Sequence, residues 1–79
     1  MKVNLLFFGA TADEVGKRQM ELVVNETTTA SQAISNVLEQ FPRLSSHKLL
    51  YSVNLSYLRG EQVLQDGDEL AIFTAVSGG

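Results

Sequence analysis

The sequence contains no cysteine, and that absence excludes several kinds of chemistry at once. No disulfide can staple the fold, no thiol can act as a nucleophile, and no thiolate can bind a metal ion. Because disulfides belong to oxidising compartments, a cytoplasmic location is the default expectation for a chain that makes none.

Positive charge and long apolar runs are also scarce. Six lysine and arginine residues stand against nine aspartate and glutamate residues, which gives a net charge of −3, and only Lys17 and Arg18 are adjacent. Proteins that bind nucleic acid present a basic patch or stripe, so we expect no nucleic-acid partner. No apolar run has the length of a membrane span, and we expect no membrane association. The segment 1–12 is shorter than a signal peptide, and we interpret it as a strand with its exit loop.

Glycine-rich phosphate-binding motifs are missing as well. The chain has neither a GxGxxG pattern nor a P-loop, so any ATP would be bound by a partner. Asp66, Asp68 and Glu69 lack the further spaced ligands of a calcium-binding loop, and we interpret them as a turn that enters a strand. His47, the only histidine, is expected at the surface. We therefore predict no metal site.

What the sequence does contain is an ordinary globular composition, with 79 residues of which 44% are hydrophobic and 19% are charged. This length supports one hydrophobic core. Residues 2–8 and 19–24 are rich in β-forming side chains and predict two strands. Between them, Thr11 and Glu14 have the spacing of a capping box, and Gly16 is placed to end a single helical turn.

The clearest periodic pattern in the chain predicts one amphipathic helix. Apolar side chains recur at helical spacing at Ala30, Ala33, Ile34, Val37, Leu38 and Phe41. Thr29 and Gln32 have the spacing of a capping box at its start, and Pro42 lies just beyond its end.

The second half of the chain predicts the remaining strands. An irregular stretch at 43–48 precedes a strand at 49–54, a short strand at 56–58, a turn at 65–69 and a last strand at 69–76. Gly67 is expected to take a positive φ in the turn. Four or five strands with one main helix predict an α+β fold of two layers, in which a four- to five-stranded sheet carries the helix on one face.

A lone helix leaves the other face of the sheet uncovered. Side chains alternate between the two faces along a strand. The set predicted to face the helix comprises Val3, Leu5, Phe7, Leu70 and Ile72. The opposite set includes Leu6, Phe8 and Phe73. Because a contiguous exposed apolar patch usually marks an interface, we predict that this second face docks a partner protein.

The whole chain resembles the small subunits of molybdopterin synthase, a family of ubiquitin-like sulfur carriers. The resemblance rests on the segments KVNLLFFGATADEVGK and VNLSYLRGEQVLQDGDELAIFTAVSGG. Its most specific part is the sequence DGDE, followed by an apolar strand and a free Gly-Gly end. Thr74 and Ala75 stand where many members have two prolines, which leaves the choice among related carriers open.

The resemblance implies a ubiquitin-like β-grasp domain with a mixed sheet over residues 1–76 and a flexible tail over residues 77–79. It implies that a ubiquitin-activating-like adenylyltransferase uses ATP to adenylate the carboxylate of Gly79, which sulfide then converts to a thiocarboxylate. The sulfur would pass to a pterin precursor held by a large catalytic subunit. Gly78 would keep the tail slim, because glycine has no Cβ.

The resemblance also implies that this chain has no independent active site and binds no cofactor itself. Phe8, Tyr57, Phe73 and Val76 are assigned to the interface with the large subunit. Three alternatives stay open at this point: a sulfur carrier for the thiazole of thiamine, an interaction domain without chemistry, and a modifier that forms isopeptides through Gly79. A frayed terminus is the simplest interpretation of the two glycines if no chemistry occurs there.

Overall fold

A computed structural model describes residues 1–54, 62–74 and, by their backbone, 56–57. The strands are β1 (Lys2–Phe7), β2 (Gln19–Val23), β3 (Leu49–Val53), β4 (Ser56–Tyr57) and β5 (Glu69–Thr74). The α-helices are α1 (Ala10–Val15) and α2 (Ala30–Gln40), and a 3₁₀ helix follows at Pro42–Ser46.

The five strands form one mixed sheet in the order β2-β1-β5-β3-β4. The central strand, β5, runs parallel to its neighbour β1, and every other neighbouring pair is antiparallel. In the parallel pair, Leu5 lies opposite Leu70 and Phe7 lies opposite Ile72. The predicted mixed sheet with one main helix is therefore confirmed.

The core forms where one face of the sheet meets α2. Strand alternation works as predicted, because Val3, Leu5 and Phe7 are buried while Lys2 and Asn4 are exposed. The other core side chains include Ala30, Ala33, Ile34, Val37, Leu70 and Ile72. Removing this apolar surface from water is the main favourable contribution to the stability of such a small domain.

Both ends of α2 agree with the local sequence. Thr29 Oγ1 accepts a hydrogen bond from the Gln32 N–H at 3.2 Å, and Gln32 Oε1 accepts one from the Thr29 N–H at 3.0 Å. The predicted capping box is thus confirmed. Phe41 ends the helix and packs edge-on against Phe7, with 6.3 Å between ring centroids.

The residues after α2 differ from the prediction of an irregular stretch. Pro42 begins the 3₁₀ helix, because its fixed φ suits a first helical position. The Ser45 hydroxyl donates to the Pro42 carbonyl at 2.7 Å, and the Ser46 hydroxyl donates to the Arg43 carbonyl at 2.8 Å. Leu44 is buried in the core, which fixes the segment in place.

The short helix α1 corrects a second prediction. Thr11 does not cap it, because the helix already begins at Ala10 with Gly9 as its N-cap and no capping side chain. The Thr11 side chain instead turns into the interior, where it is fully buried. The predicted end of this helix is confirmed, since Gly16 has φ 83° and its N–H donates to the Ala12 carbonyl at 2.8 Å.

Candidate functional site

The end of the sheet from which the tail departs is the candidate functional site. Because β1 and β5 are parallel, Phe8 and Thr74 leave the sheet at the same end. The predicted tail residues Gly78 and Gly79, and the predicted interface residue Val76, lie outside the described residues. Their roles stay predictions.

The sheet face opposite α2 carries apolar side chains close to this end. Register pairs Leu6 with Ala71 and Leu50 with Phe73, so these side chains share the outer face. Phe8, just past β1, is 52% exposed and Leu50 is 36% exposed. Leu6 and Phe73 are half-buried. We call this set, Leu6, Phe8, Leu50 and Phe73, the outer apolar face.

Leu50 was not among the interface residues predicted from the sequence, whereas Tyr57 was. Alternation from the buried Val53 back along β3 places Leu50 on the outer face, and that signal was available in the sequence. The backbone of Tyr57 lies in β4 opposite Ser52, while its side chain lies outside the described part of the chain.

A groove of about 450 Å³ lies beside Phe8 at the tail end of the sheet. Its walls come from the end of β1, the start of β2 and α1, and they include Leu6, Ala12 and Arg18. The groove continues the outer apolar face around the edge of the domain, so a docking partner could contact both.

The acidic residues at the opposite end of the sheet hold the turn before β5. Asp66 Oδ1 accepts from the Lys2 N–H at 2.7 Å. Asp68 Oδ1 accepts from Asn54 Nδ2 at 3.0 Å, and its Oδ2 accepts from the Gln65 N–H at 2.8 Å. Gly67 has the expected positive φ, 86°. The interpretation of this segment as a turn is confirmed.

His47 lies at the surface, as predicted, and pairs with a carboxylate. Its Nε2 is 3.3 Å from Glu14 Oε1, and both side chains are about 30% exposed. An exposed pair of this kind contributes little to stability. Within the described ranges, no group of three or more histidine, cysteine, aspartate or glutamate residues is arranged to hold a metal ion.

Solved structures share the fold of this chain. The crystal structure of SAMP1 from Haloferax volcanii superposes with a TM-score of 0.88 at 24% identity and covers the whole of both chains. A complex of subunits 1 and 2 of molybdopterin-converting factor from Helicobacter pylori contains a chain that matches with a TM-score of 0.71 at 20% identity, again over the whole of both chains. The fold is the ubiquitin-like β-grasp.

Among the helices in the part of the chain that the structure describes, none is long and apolar enough to cross a membrane.

A sequence relative, the molybdopterin synthase sulfur carrier subunit of Mycobacterium tuberculosis, is 33% identical over an alignment of 84 positions, which covers 100% of this chain and 99% of that protein. The model of the ThiS family matches residues 5–79, so its match includes both terminal glycines. The chain therefore belongs to the ThiS family.

Proposed function

We propose that this chain is the sulfur carrier subunit of a molybdopterin synthase. The observation that carries the proposal is a family match that runs to Gly79, together with a relative of that name that aligns over the full length of both proteins. The β-grasp domain supports it, because the parallel pair of β1 and β5 places Thr74, the last residue of β5, at the same end of the sheet as Phe8.

The proposed chemistry occurs at the carboxylate of Gly79. A carboxylate is a poor electrophile, so an adenylyltransferase first transfers AMP from ATP to it and releases pyrophosphate. Sulfide (HS⁻) then attacks the acyl carbon, the bond from that carbon to the phosphate oxygen breaks, AMP leaves with the bonding electrons, and the S–H proton passes to water. The product is a thiocarboxylate on Gly79. This chain supplies no nucleotide-binding motif, so the adenylyltransferase binds the ATP.

The tail itself provides reach and slimness. Residues 74–79 span up to about 20 Å when extended, which is enough to carry the reactive carbon away from the sheet. Gly78 and Gly79 lack Cβ atoms, so the chain can enter a narrow channel and approach a phosphate closely.

The proposed docking partner is the large catalytic subunit, which holds the pterin precursor. The Helicobacter pylori structure is a complex of two subunits of molybdopterin-converting factor, and we propose the same kind of assembly for this chain. The exposed ring of Phe8 and the neighbouring Phe73 would form the centre of the contact, since aromatic side chains dominate the energetics of interfaces.

A sulfur carrier for the thiazole of thiamine is the second candidate. It uses the same chemistry at Gly79 with a different acceptor, and the ThiS family match fits it equally well. The relative at 33% identity favours the molybdopterin acceptor.

A cytoplasmic location also stays a prediction.

The loading of sulfur onto Gly79 tests the chemistry that both candidates share. Incubated with its adenylyltransferase, ATP and a sulfide source, the chain should gain the mass of one sulfur in place of one oxygen, and fragment spectra should place the change on Gly79. Deleting Gly79 should abolish the gain while leaving the thermal melt unchanged, because a tail outside the core contributes little to stability.

A variant with one alanine added after Gly79 tests whether the position of the carboxylate matters, and it should not be loaded with sulfur. Its carboxylate sits one residue too far along the tether, and a misplacement near 1 Å can cost on the order of 10²-fold in rate. Sulfur loading of this extended chain without trimming would show that Gly79 is not the site.

A further inference from the structure

Thr11 is a buried polar residue that the proposed chemistry does not use. It lies in the first turn of α1, and its side chain is fully buried. Buried hydroxyls in proteins almost always have hydrogen-bond partners, and the identity of those partners shows what the side chain holds in place.

The Thr11 hydroxyl joins the end of β1 to the end of β5. Its oxygen accepts from the Phe8 N–H at 3.0 Å. Its single proton is shared between the Phe8 carbonyl at 2.7 Å and the Ile72 carbonyl at 2.9 Å. The Phe8 N–H also donates to the Ile72 carbonyl at 3.1 Å. One side chain therefore contacts both backbone groups of Phe8 and the strand that leads to the tail.

Apart from the hydroxyl, the backbone of Phe8 has the bond to the Ile72 carbonyl and one from the Thr11 N–H at 3.2 Å, while its side chain has open surroundings. It follows the last residue of β1, and its side chain is 52% exposed. The next residue, Gly9, has φ 59° and ψ −130°, a conformation open to glycine, and a Cβ built there would meet nothing within 4 Å. Gly9 has no side chain that could pack against a neighbour, so it does not fix the direction in which the backbone leaves Phe8.

From this geometry we propose that Thr11 is a positioning residue for partner binding. It holds the backbone of Phe8 against Ile72, so that the point from which the exposed ring projects is fixed before the partner arrives. An interface segment whose backbone is ordered in advance loses less conformational freedom on binding, and affinity rises accordingly. The inference rests on the proposed function for the identity of the partner, the large catalytic subunit.

The test compares three variants by their Kd for the large subunit. Thr11→Val keeps the shape and removes the hydroxyl, and it should weaken binding by about 3- to 10-fold. Thr11→Ser keeps the hydroxyl and should stay within about 2-fold of the original affinity. Val3→Ala is the control. It destabilises the core at a position about 16 Å from Phe8 along β1, so it should leave the Kd for the large subunit unchanged.

A double-mutant cycle separates positioning from plain destabilisation. If Thr11 acts through the Phe8 ring, Thr11→Val should cause no further loss of affinity once Phe8→Ala has removed that ring. Losses that add in the double variant, or equal losses from Val3→Ala and Thr11→Val, would overturn the inference.

Amide hydrogen exchange in the free chain keeps this test separate from the proposed function. Thr11→Val should speed exchange at Phe8 several-fold relative to Leu5 in the middle of β1, whereas Val3→Ala should affect both amides alike. If the original chain fails to bind a large subunit, the proposed function fails. Unchanged protection of Phe8 in Thr11→Val would then overturn the role of Thr11 as well, and faster exchange there would support it.

Discussion

Asn54 is the one residue other than glycine with a positive φ among those described, at 50°. Asparagine tolerates this conformation better than most side chains. Its backbone N–H donates to the Glu69 carbonyl at 2.9 Å, and its Oδ1 accepts from the Glu69 N–H at 3.0 Å. Its Nδ2 donates to Asp68, so this residue links the end of β3 to the turn before β5.

Replacing Asn54 by alanine should therefore lower the free energy of unfolding by about 1.5–3 kcal/mol, because two hydrogen bonds are lost and Asp68 loses a partner. Asn36→Ala is the matched control, since Asn36 is exposed in α2 and alanine favours helix there. Urea melts of both variants measure the difference. A gap below about 0.5 kcal/mol would contradict a structural role for Asn54.

A second prediction at the residue scale concerns the outer apolar face. Phe8→Asp should weaken binding to the large subunit by at least about 10-fold while the free chain stays folded, because an unpaired carboxylate is costly in an interface core. Val63→Asp provides the comparison, since Val63 is 51% exposed but pairs with Thr29 beside α2. Calorimetry should show a loss of affinity for the large subunit in Phe8→Asp and none in Val63→Asp. Loss of the folded circular dichroism signal in Phe8→Asp would place this ring in the core instead.

At the scale of elements, the sequence predicts α2 well and α1 poorly, for a physical reason. In α2, eleven residues combine a continuous apolar stripe with a capping box, so local and tertiary preferences agree. In α1, six residues give too few turns for a periodic apolar pattern. Thr11 and Glu14 have the three-residue spacing of a capping box, but neither side chain caps the helix. The Thr11 hydroxyl instead bonds to the backbone of Phe8, three residues earlier, and to the Ile72 carbonyl. The bond to Ile72 is long-range, and no local rule anticipates it.

Packing of α2 on the sheet leads to a ranked prediction. Ile34→Ala should lower the free energy of unfolding by about 2–4 kcal/mol, Val37→Ala by somewhat less, and Leu38→Ala least, because Leu38 is only half-buried. Ser35→Ala, on the exposed side of the same helix, should change it by less than about 0.5 kcal/mol. Denaturant melts that give equal values for Ile34 and Ser35 would reverse the assignment of the helix faces.

At the scale of the whole molecule, strand order decides what lies beside the tail. Alternation in the sequence separates the buried Leu5 from the outer Leu6, but it does not reveal that β1 and β5 pair in parallel. That pairing joins residues more than sixty positions apart, and it brings Phe8 to the end of the sheet where β5 leads into the tail. The family resemblance led us to expect a mixed sheet but did not specify that β1 pairs with β5, since long-range pairing leaves no local signal.

A single turnover of sulfur transfer measures directly whether this chain is the sulfur carrier of a molybdopterin synthase. The chain loaded with a thiocarboxylate on Gly79 is mixed with the large subunit and the sulfur-free pterin precursor. Two loaded chains are supplied for each pterin, because a dithiolene holds two sulfur atoms and each chain carries one. The mass of the chain is followed beside formation of the dithiolene product. We expect that the sulfur leaves the chain, that a carboxylate returns at Gly79, and that the pterin gains the sulfur. Sulfur that stays on the chain, or that passes to a thiazole synthase in a parallel reaction and not to the pterin, would contradict this expectation.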